Sequence, residues 1–175
     1  GWSSPAHSGS CALYFSGGSS YSEQIAVLPT FAADANQLMI SLYYKNSSLN
    51  SQYYTYPRFI VGAMSDPADK TTFVAVDTLA LNTSYTQTKV YLSNMPATHK
   101  YVAIKYAGGS STSYGYVDDI TVDYLPTCVP AQNIHIGATT QTSATIVWNA
   151  GKDESSWNVA YCAVGGKDTI KTVVS

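Results

Sequence analysis

The sequence predicts an all-β chain: one β-sandwich over residues 1–125 and part of a second over residues 126–175. Three observations predict this. Apolar and polar residues alternate with period two in short runs, clusters of Gly, Pro, Asn and Ser bound those runs, and no helical periodicity of useful length occurs.

Taken in order, Leu38, Ile40, Leu42 and Tyr44 line one face of a strand whose other face carries Met39, Ser41 and Tyr43. Phe59, Val61 and Ala63 repeat the pattern after a loop from Asn46 to Pro57. The segment Ser65-Asp-Pro-Ala-Asp-Lys70 reads as a turn, because Asp supplies Asx-type hydrogen bonds and Pro presets φ; Phe73, Val74 and Val76 follow as a strand. Val90 with Leu92, then Val102, Ile104 and Tyr106, then Ile120, Val122 and Tyr124 complete the set. Many short strands with polar turns make a sandwich. Tyr114 to Asp123 closes this unit, and Cys128-Val-Pro130 opens the next. The rhythm restarts at Ile134 and Ile136, then Ala144, Ile146 and Trp148, then Trp157, Val159 and Tyr161, then Ile170, Thr172 and Val174. These are four strands, whereas a seven-stranded sandwich takes roughly 100 residues. The second unit is expected to be truncated, with exposed apolar surface and unpaired edges.

Composition narrows the class. The 175 residues are 45% hydrophobic, ample for a packed core, but only 11% charged; Ser, Thr, Asn and 15 tyrosines fill surface positions instead. That is an exported or cell-surface composition. The formal charge of -2 carries no basic cluster, which argues against nucleic acid or an anionic membrane as partner. No apolar run approaches the length that spans a bilayer. The chain begins Gly1-Trp2 with no basic or apolar leader, so an export signal is expected to have been removed. Cys11, Cys128 and Cys162 lack zinc spacing. Cys128 and Cys162 share the second unit, where a bond between them and two free thiols are both open readings.

Several separated segments carry a family resemblance: His7-Ser-Gly-Ser-Cys-Ala-Leu-Tyr-Phe15, Ile25-Ala-Val-Leu-Pro-Thr-Phe31, Leu38-Met-Ile-Ser-Leu-Tyr-Tyr-Lys45, Phe59-Ile-Val-Gly-Ala-Met-Ser-Asp-Pro67, Thr72-Phe-Val-Ala-Val-Asp-Thr78 and Tyr116-Val-Asp-Asp-Ile-Thr-Val122. Their order and spacing resemble the MAM-like or cleaved-adhesin jelly-roll domains of Bacteroidetes surface proteins. Pro130-Ala-Gln-Asn-Ile134, Ser143-Ala-Thr-Ile-Val-Trp148 and Trp157-Asn-Val-Ala-Tyr161 resemble the first half of a fibronectin type III domain, an immunoglobulin-like sandwich, with Trp148 in its core. The resemblance implies an extracellular module that binds glycans, binds cell-surface proteins or spaces neighbouring domains. It also implies a structural calcium near the closing strand. The family's opening strand, with its acidic residue, has no convincing counterpart here.

Two groups of residues are candidates for chemistry. Plain alternation from Ile120 and Val122 turns Asp118 inward and Asp119 outward unless a bulge intervenes, and an inward carboxylate needs backbone N–H groups, a cation or a proton. Asp118 and Asp119 are therefore the candidate calcium ligands, with a hydrogen-bonded carboxylate as the bland alternative. Tyr53, Tyr54 and Tyr56 crowd one loop, and Tyr114 with Tyr116 follows a Gly/Ser run; Tyr53, Tyr54, Tyr56 and Tyr114 are the candidate ligand residues. A tyrosine ring offers an apolar face to a pyranose and a hydroxyl to its polar edge, although tyrosine is also an ordinary strand residue. Catalysis has no motif: His7, His99 and His135 are scattered, His135 on an expected polar face, while Asp66 and Asp69 are explained by turn chemistry. Asn46-Ser-Ser48 and Asn82-Thr-Ser84 fit the glycosylation triplet but read as turn residues. The expected function is a non-catalytic extracellular adhesion or carbohydrate-binding module. The alternative is a structural spacer within a larger secreted enzyme or surface assembly, with no ligand of its own.

Overall fold

The computed structural model describes residues 6–16, 23–47, 56–107, 113–162, 166 and 169–174. Two compact units divide the chain, Gly1–Thr127 and Cys128–Ser175. The first contains β1 (Leu13–Ser16), β2 (Gln24–Val27), β3 (Leu38–Asn46), β4 (Arg58–Met64), β5 (Val74–Thr78), β6 (Thr86–Tyr91), β7 (Tyr101–Ala107) and β8 (Tyr114–Tyr124). They form two antiparallel sheets, ordered β1-β8-β3-β6 and β2-β7-β4-β5. Consecutive strands change sheet at every step except from β4 to β5, which is the winding of an eight-stranded jelly roll.

The alternation in β3 builds half of the interior. Leu38, Ile40, Leu42 and Tyr44 are all buried, whereas Met39, Ser41 and Tyr43 are only partly so. From the opposing sheet come Phe59, Val61, Val102, Ile104 and Tyr106, all nearly inaccessible. Phe59 sits at the centre: Phe15 meets it edge-on at 5.3 Å and Tyr106 lies 4.7 Å away. Gly115 of β8 faces this ring, and a methyl group there would collide with it. The Ser65–Lys70 turn behaves as its sequence predicts, since Asp66 accepts the Ala68 N–H (2.8 Å) and Asp69 the Thr71 N–H (2.9 Å). The following strand starts later than expected. A turn of 3-10 helix takes Lys70–Thr72, and β5 begins at Val74, an edge strand with Val74 itself 40% exposed.

Asn46 departs from its reading as a turn residue. It ends β3 with 2% exposure; its amide donates to the Pro57 carbonyl (3.1 Å) and its carbonyl accepts the Asn82 N–H (3.4 Å). Tyr106 Oη stands at the limit of its reach, 3.5 Å away, and pairs with Ser113 Oγ at 3.0 Å. Asn82 in turn donates to Tyr44 Oη at 2.9 Å. Burial pushes the hydroxyls of Tyr44 and Tyr106 above the ordinary tyrosine range. These polar groups tie the end of β3 to the loops beside it, and Asn46 is closed to a sugar-transferring enzyme.

The second unit contains β9 (Gln132–Thr139), β10 (Ala144–Asn149), β11 (Ser156–Tyr161) and β12 (Thr169–Val174). β9 pairs with β10 and β11 with β12, each antiparallel. Trp148 and Trp157 meet edge-on at 5.5 Å. Ile134 and Ile136, which alternation marks as core positions, are each 66% exposed. Cys11, Cys128 and Cys162 are exposed free thiols. No helix among the described residues is long and apolar enough to cross a membrane.

Candidate functional site

The outward face of the β1-β8-β3-β6 sheet collects the chemistry. Strand register builds a row across it. Tyr14 of β1 pairs with Tyr116 of β8, Tyr116 pairs with Lys45 of β3, and Tyr44 pairs with Thr86, which places Tyr85 beside Lys45. The side chains follow the backbone. Tyr14 lies 5.5 Å from Tyr116, and Lys45 Nζ sits over two ring faces, 4.7 Å from the centre of Tyr85 and 5.4 Å from that of Tyr116. Such cation–π contacts hold the ammonium where solvent is partly excluded. Tyr114, two residues before Tyr116 on the same face, lies 5.6 Å from Tyr14. Tyr14 and Tyr114 remain 41% and 47% exposed.

One strand step away, a bulge reverses the expected orientation of Asp118. Tyr43 pairs with Asp118 but Ser41 pairs with Thr121, so the single residue Leu42 faces both Asp119 and Ile120. Asp119 adopts φ 47°, the left-handed conformation that Asp tolerates better than most residues. The extra residue shifts the alternation: Val117 and Ile120 point to the core, and Asp118 and Asp119 both belong to the outer face. Asp118 is not the inward carboxylate that unbroken alternation predicts.

Both carboxylates grip the segment before β1. Asp118 Oδ2 accepts the N–H groups of His7 (2.7 Å) and Ser8 (3.1 Å), and its Oδ1 accepts the Asp119 N–H (2.9 Å). Asp119 Oδ2 pairs with His7 Nδ1 at 2.7 Å, and Oδ1 accepts from Ser8 Oγ at 2.5 Å. Hydrogen bonds from Ser8 first and His7 second hold the Asp119 carboxyl below the usual range. The His7 ring lies flat on Tyr43, with centroids 3.7 Å apart and planes 14° apart, and edge-on to Tyr85 at 5.4 Å. Burial, and then the negative charge of Asp118, push the Tyr85 hydroxyl up to about 12. All four carboxylate oxygens thus face N–H or O–H donors. Calcium takes six to eight oxygen ligands, and no third acidic, His or Cys side chain completes a metal cluster with this pair among the described residues. The geometry is that of the hydrogen-bonded alternative, in which both carboxylates tie the segment before β1 to β8.

Of the sequence-predicted residues, Tyr114 joins the aromatic row. Tyr53 and Tyr54 lie outside the described residues, and Tyr56 is half-buried. Sequence reasoning set Tyr116 beside Tyr114 but missed Tyr14, Lys45 and Tyr85 and the row they make with it. In the second unit an open hollow of about 730 Å3 is lined by Ile146, Trp148, Val159, Tyr161 and the Thr140–Ala144 turn. It is mainly apolar, and it is lined by no acidic, basic or histidine side chain.

Among solved structures the fold is similar to the cleaved adhesin domains of Lys-gingipain from Porphyromonas gingivalis. The K2 domain matches with a TM-score of 0.51 at 15% identity, over 67% of this chain and 74% of that one. The K3 domain gives 0.49 at 18% identity over 65% and 74%, and the K1 domain 0.47 at 17% over 66% and 75%. The K2 match agrees with the β-sandwich derived from the strand order. No protein-family model matches the sequence, and no curated protein matches it at a significant level.

Proposed function

We propose that the chain is a non-catalytic adhesion or carbohydrate-binding module of an exported bacterial surface protein, and that the outer face of the β1-β8-β3-β6 sheet is its ligand surface. One observation carries the reading: Tyr14 and Tyr114 stay 41% and 47% exposed within a contiguous cluster of rings on a regular sheet. A fixed platform of this kind loses little entropy when a sugar covers it, and each ring presents both an apolar face and a hydroxyl. The fold of the gingipain adhesin domains and the charge-poor, tyrosine-rich surface support the same reading.

The magnitude follows from exposure. A tyrosine buries about 200 Å2 when fully covered, so each exposed portion is roughly 80–90 Å2. At about 25 cal/mol per Å2 this is about 2 kcal/mol. A ligand stacked on one side covers about half, giving about 1 kcal/mol, or about fivefold in Kd. The full chain is screened on a glycan array, and hits are titrated with Tyr14→Ala and Tyr114→Ala. Each substitution is expected to weaken binding about fivefold, less than additively because the rings touch. An array without hits, or hits indifferent to both substitutions, refutes the ligand surface; the former outcome points to a spacer.

A further inference from the structure

Lys45 is the unusual member of the row. Only 11% of this chain is charged, yet a lysine stands at the centre of an aromatic face. It is part-buried, and both of its neighbours across the sheet are tyrosines, Tyr116 on β8 and Tyr85 ahead of β6. An ammonium carries three N–H donors. Among the described residues, none of these finds an oxygen acceptor, and no carboxylate lies within 4 Å. By contrast Lys105, which also sits over a ring, pairs with Glu23 at 3.3 Å. The carboxylates of this face nearest Lys45 along the strands, Asp118 and Asp119, are turned to His7 and Ser8 instead, and Asp123 stands farther along β8, opposite Met39.

Two flanking rings fix the ammonium's position and reduce its hydration without supplying a hydrogen-bond acceptor. A ligand that brings an anionic oxygen completes it, and charge-assisted hydrogen bonds of this kind are roughly twice as strong as neutral ones. The rings on both sides then meet the flat faces of adjoining sugar units, because the strands carrying Tyr14, Tyr116, Lys45 and Tyr85 are spaced about 4.8 Å apart.

We propose that the row Tyr14–Tyr116–Lys45–Tyr85 binds an anionic saccharide, with its carboxylate or sulfate on Lys45 and its sugar rings on the tyrosines. This rests on the carbohydrate-binding reading above and narrows it to acidic chains.

The test uses the full chain in affinity electrophoresis and calorimetry with polygalacturonate, dextran sulfate and neutral dextran. At least one charged polymer is expected to bind tenfold or more tightly than dextran, with an affinity that falls as salt rises. Lys45→Gln is expected to remove that advantage, and Lys45→Arg to keep it. The control is Lys89→Gln, which removes an exposed cation from the same face, opposite Ser41, and is expected to leave affinity unchanged. The choice between polygalacturonate and dextran sulfate separates carboxylate from sulfate. If Lys89→Gln weakens binding as much as Lys45→Gln, the attraction is diffuse and the proposal falls. If dextran or another neutral glycan binds the tyrosines as tightly and Lys45→Gln changes nothing, the acidic specificity falls while the carbohydrate-binding module stands. If no glycan binds, both fall.

Discussion

Replacing Asn46 by Ala tests whether the polar knot at the end of β3 holds the first unit together. Asn46 is 2% exposed, and the one short contact of its side chain is the 3.1 Å hydrogen bond to the Pro57 carbonyl; those to Asn82 (3.4 Å) and Tyr106 (3.5 Å) are long, and the backbone bond to Asn82 survives the substitution. Losing a buried hydrogen bond costs about 1 kcal/mol, and leaving its acceptor unpaired adds about another 1–2 kcal/mol. Tyr106 Oη retains Ser113 and is not orphaned. The sum is about 2–3 kcal/mol. For a unit of this size each kcal/mol shifts the melting point by about 3–5 °C, so Asn46→Ala is expected to lower Tm by roughly 6–15 °C. Thermal melts of the full chain followed by near-ultraviolet circular dichroism, which reports the packed tyrosines, provide the reading. A shift under about 2 °C on that scale shows that water replaces the amide and refutes the buried knot.

Three further outcomes follow from the outer face and the core beneath it. Tyr85 is expected to ionise with a midpoint of about 12 in an alkaline absorbance titration, a step that Tyr85→Phe removes. Because its folded value is raised, the stability linked to it is complete below the ordinary value of about 10 and is lost as pH rises through about 12. The Asp119 carboxyl, followed by carbon NMR, is expected to titrate below the ordinary value of about 3.9, and Ser8→Ala to bring it upward. Its folded value being lowered, the linked stability is complete above the ordinary value and is lost as pH falls through the lower one; a midpoint at or above the ordinary value contradicts the hydrogen bonds drawn to it. Gly115→Ala is expected to cost about 1–3 kcal/mol in urea unfolding, since the new methyl collides with the wedged Phe59 ring. An unchanged midpoint shows that the ring has room to move.

How much the sequence reveals depends on how far apart the cooperating residues lie. Leu38, Ile40, Leu42 and Tyr44 announce themselves because nine residues of one strand alternate without interruption. β1 and β2, at four residues each, are too short for alternation to register. The bulge at Asp119 leaves no mark beyond an Asp that tolerates a left-handed backbone, and it inverts the predicted facing of Asp118. The clasp of His7 and Ser8 on Asp118 and Asp119 joins residues more than a hundred positions apart. The same distance hides the aromatic row: Tyr14, Lys45, Tyr85 and Tyr116 sit in four segments that only jelly-roll winding makes adjacent. A loop rich in tyrosine is visible as a cluster of letters. A cross-strand row is visible only once register is known.

The pairing of β1 with β8 also sets how the unit responds to tension. β1 runs antiparallel to β8, and Leu13, where β1 begins, stands opposite Val117, from which β8 continues on to Tyr124. A pull entering ahead of His7 and leaving beyond Tyr124 therefore acts on the same end of that ladder. It peels β1 away rung by rung instead of shearing every rung together. The first bonds in its path are those from Asp118 to the His7 and Ser8 backbone and from Asp119 to their side chains, just outside the Leu13–Val117 rung. They form a latch at the end where unzipping starts. While the latch holds, Tyr14 stays beside Tyr116; once it opens, the sheet sheds the edge strand that carries one end of the aromatic row.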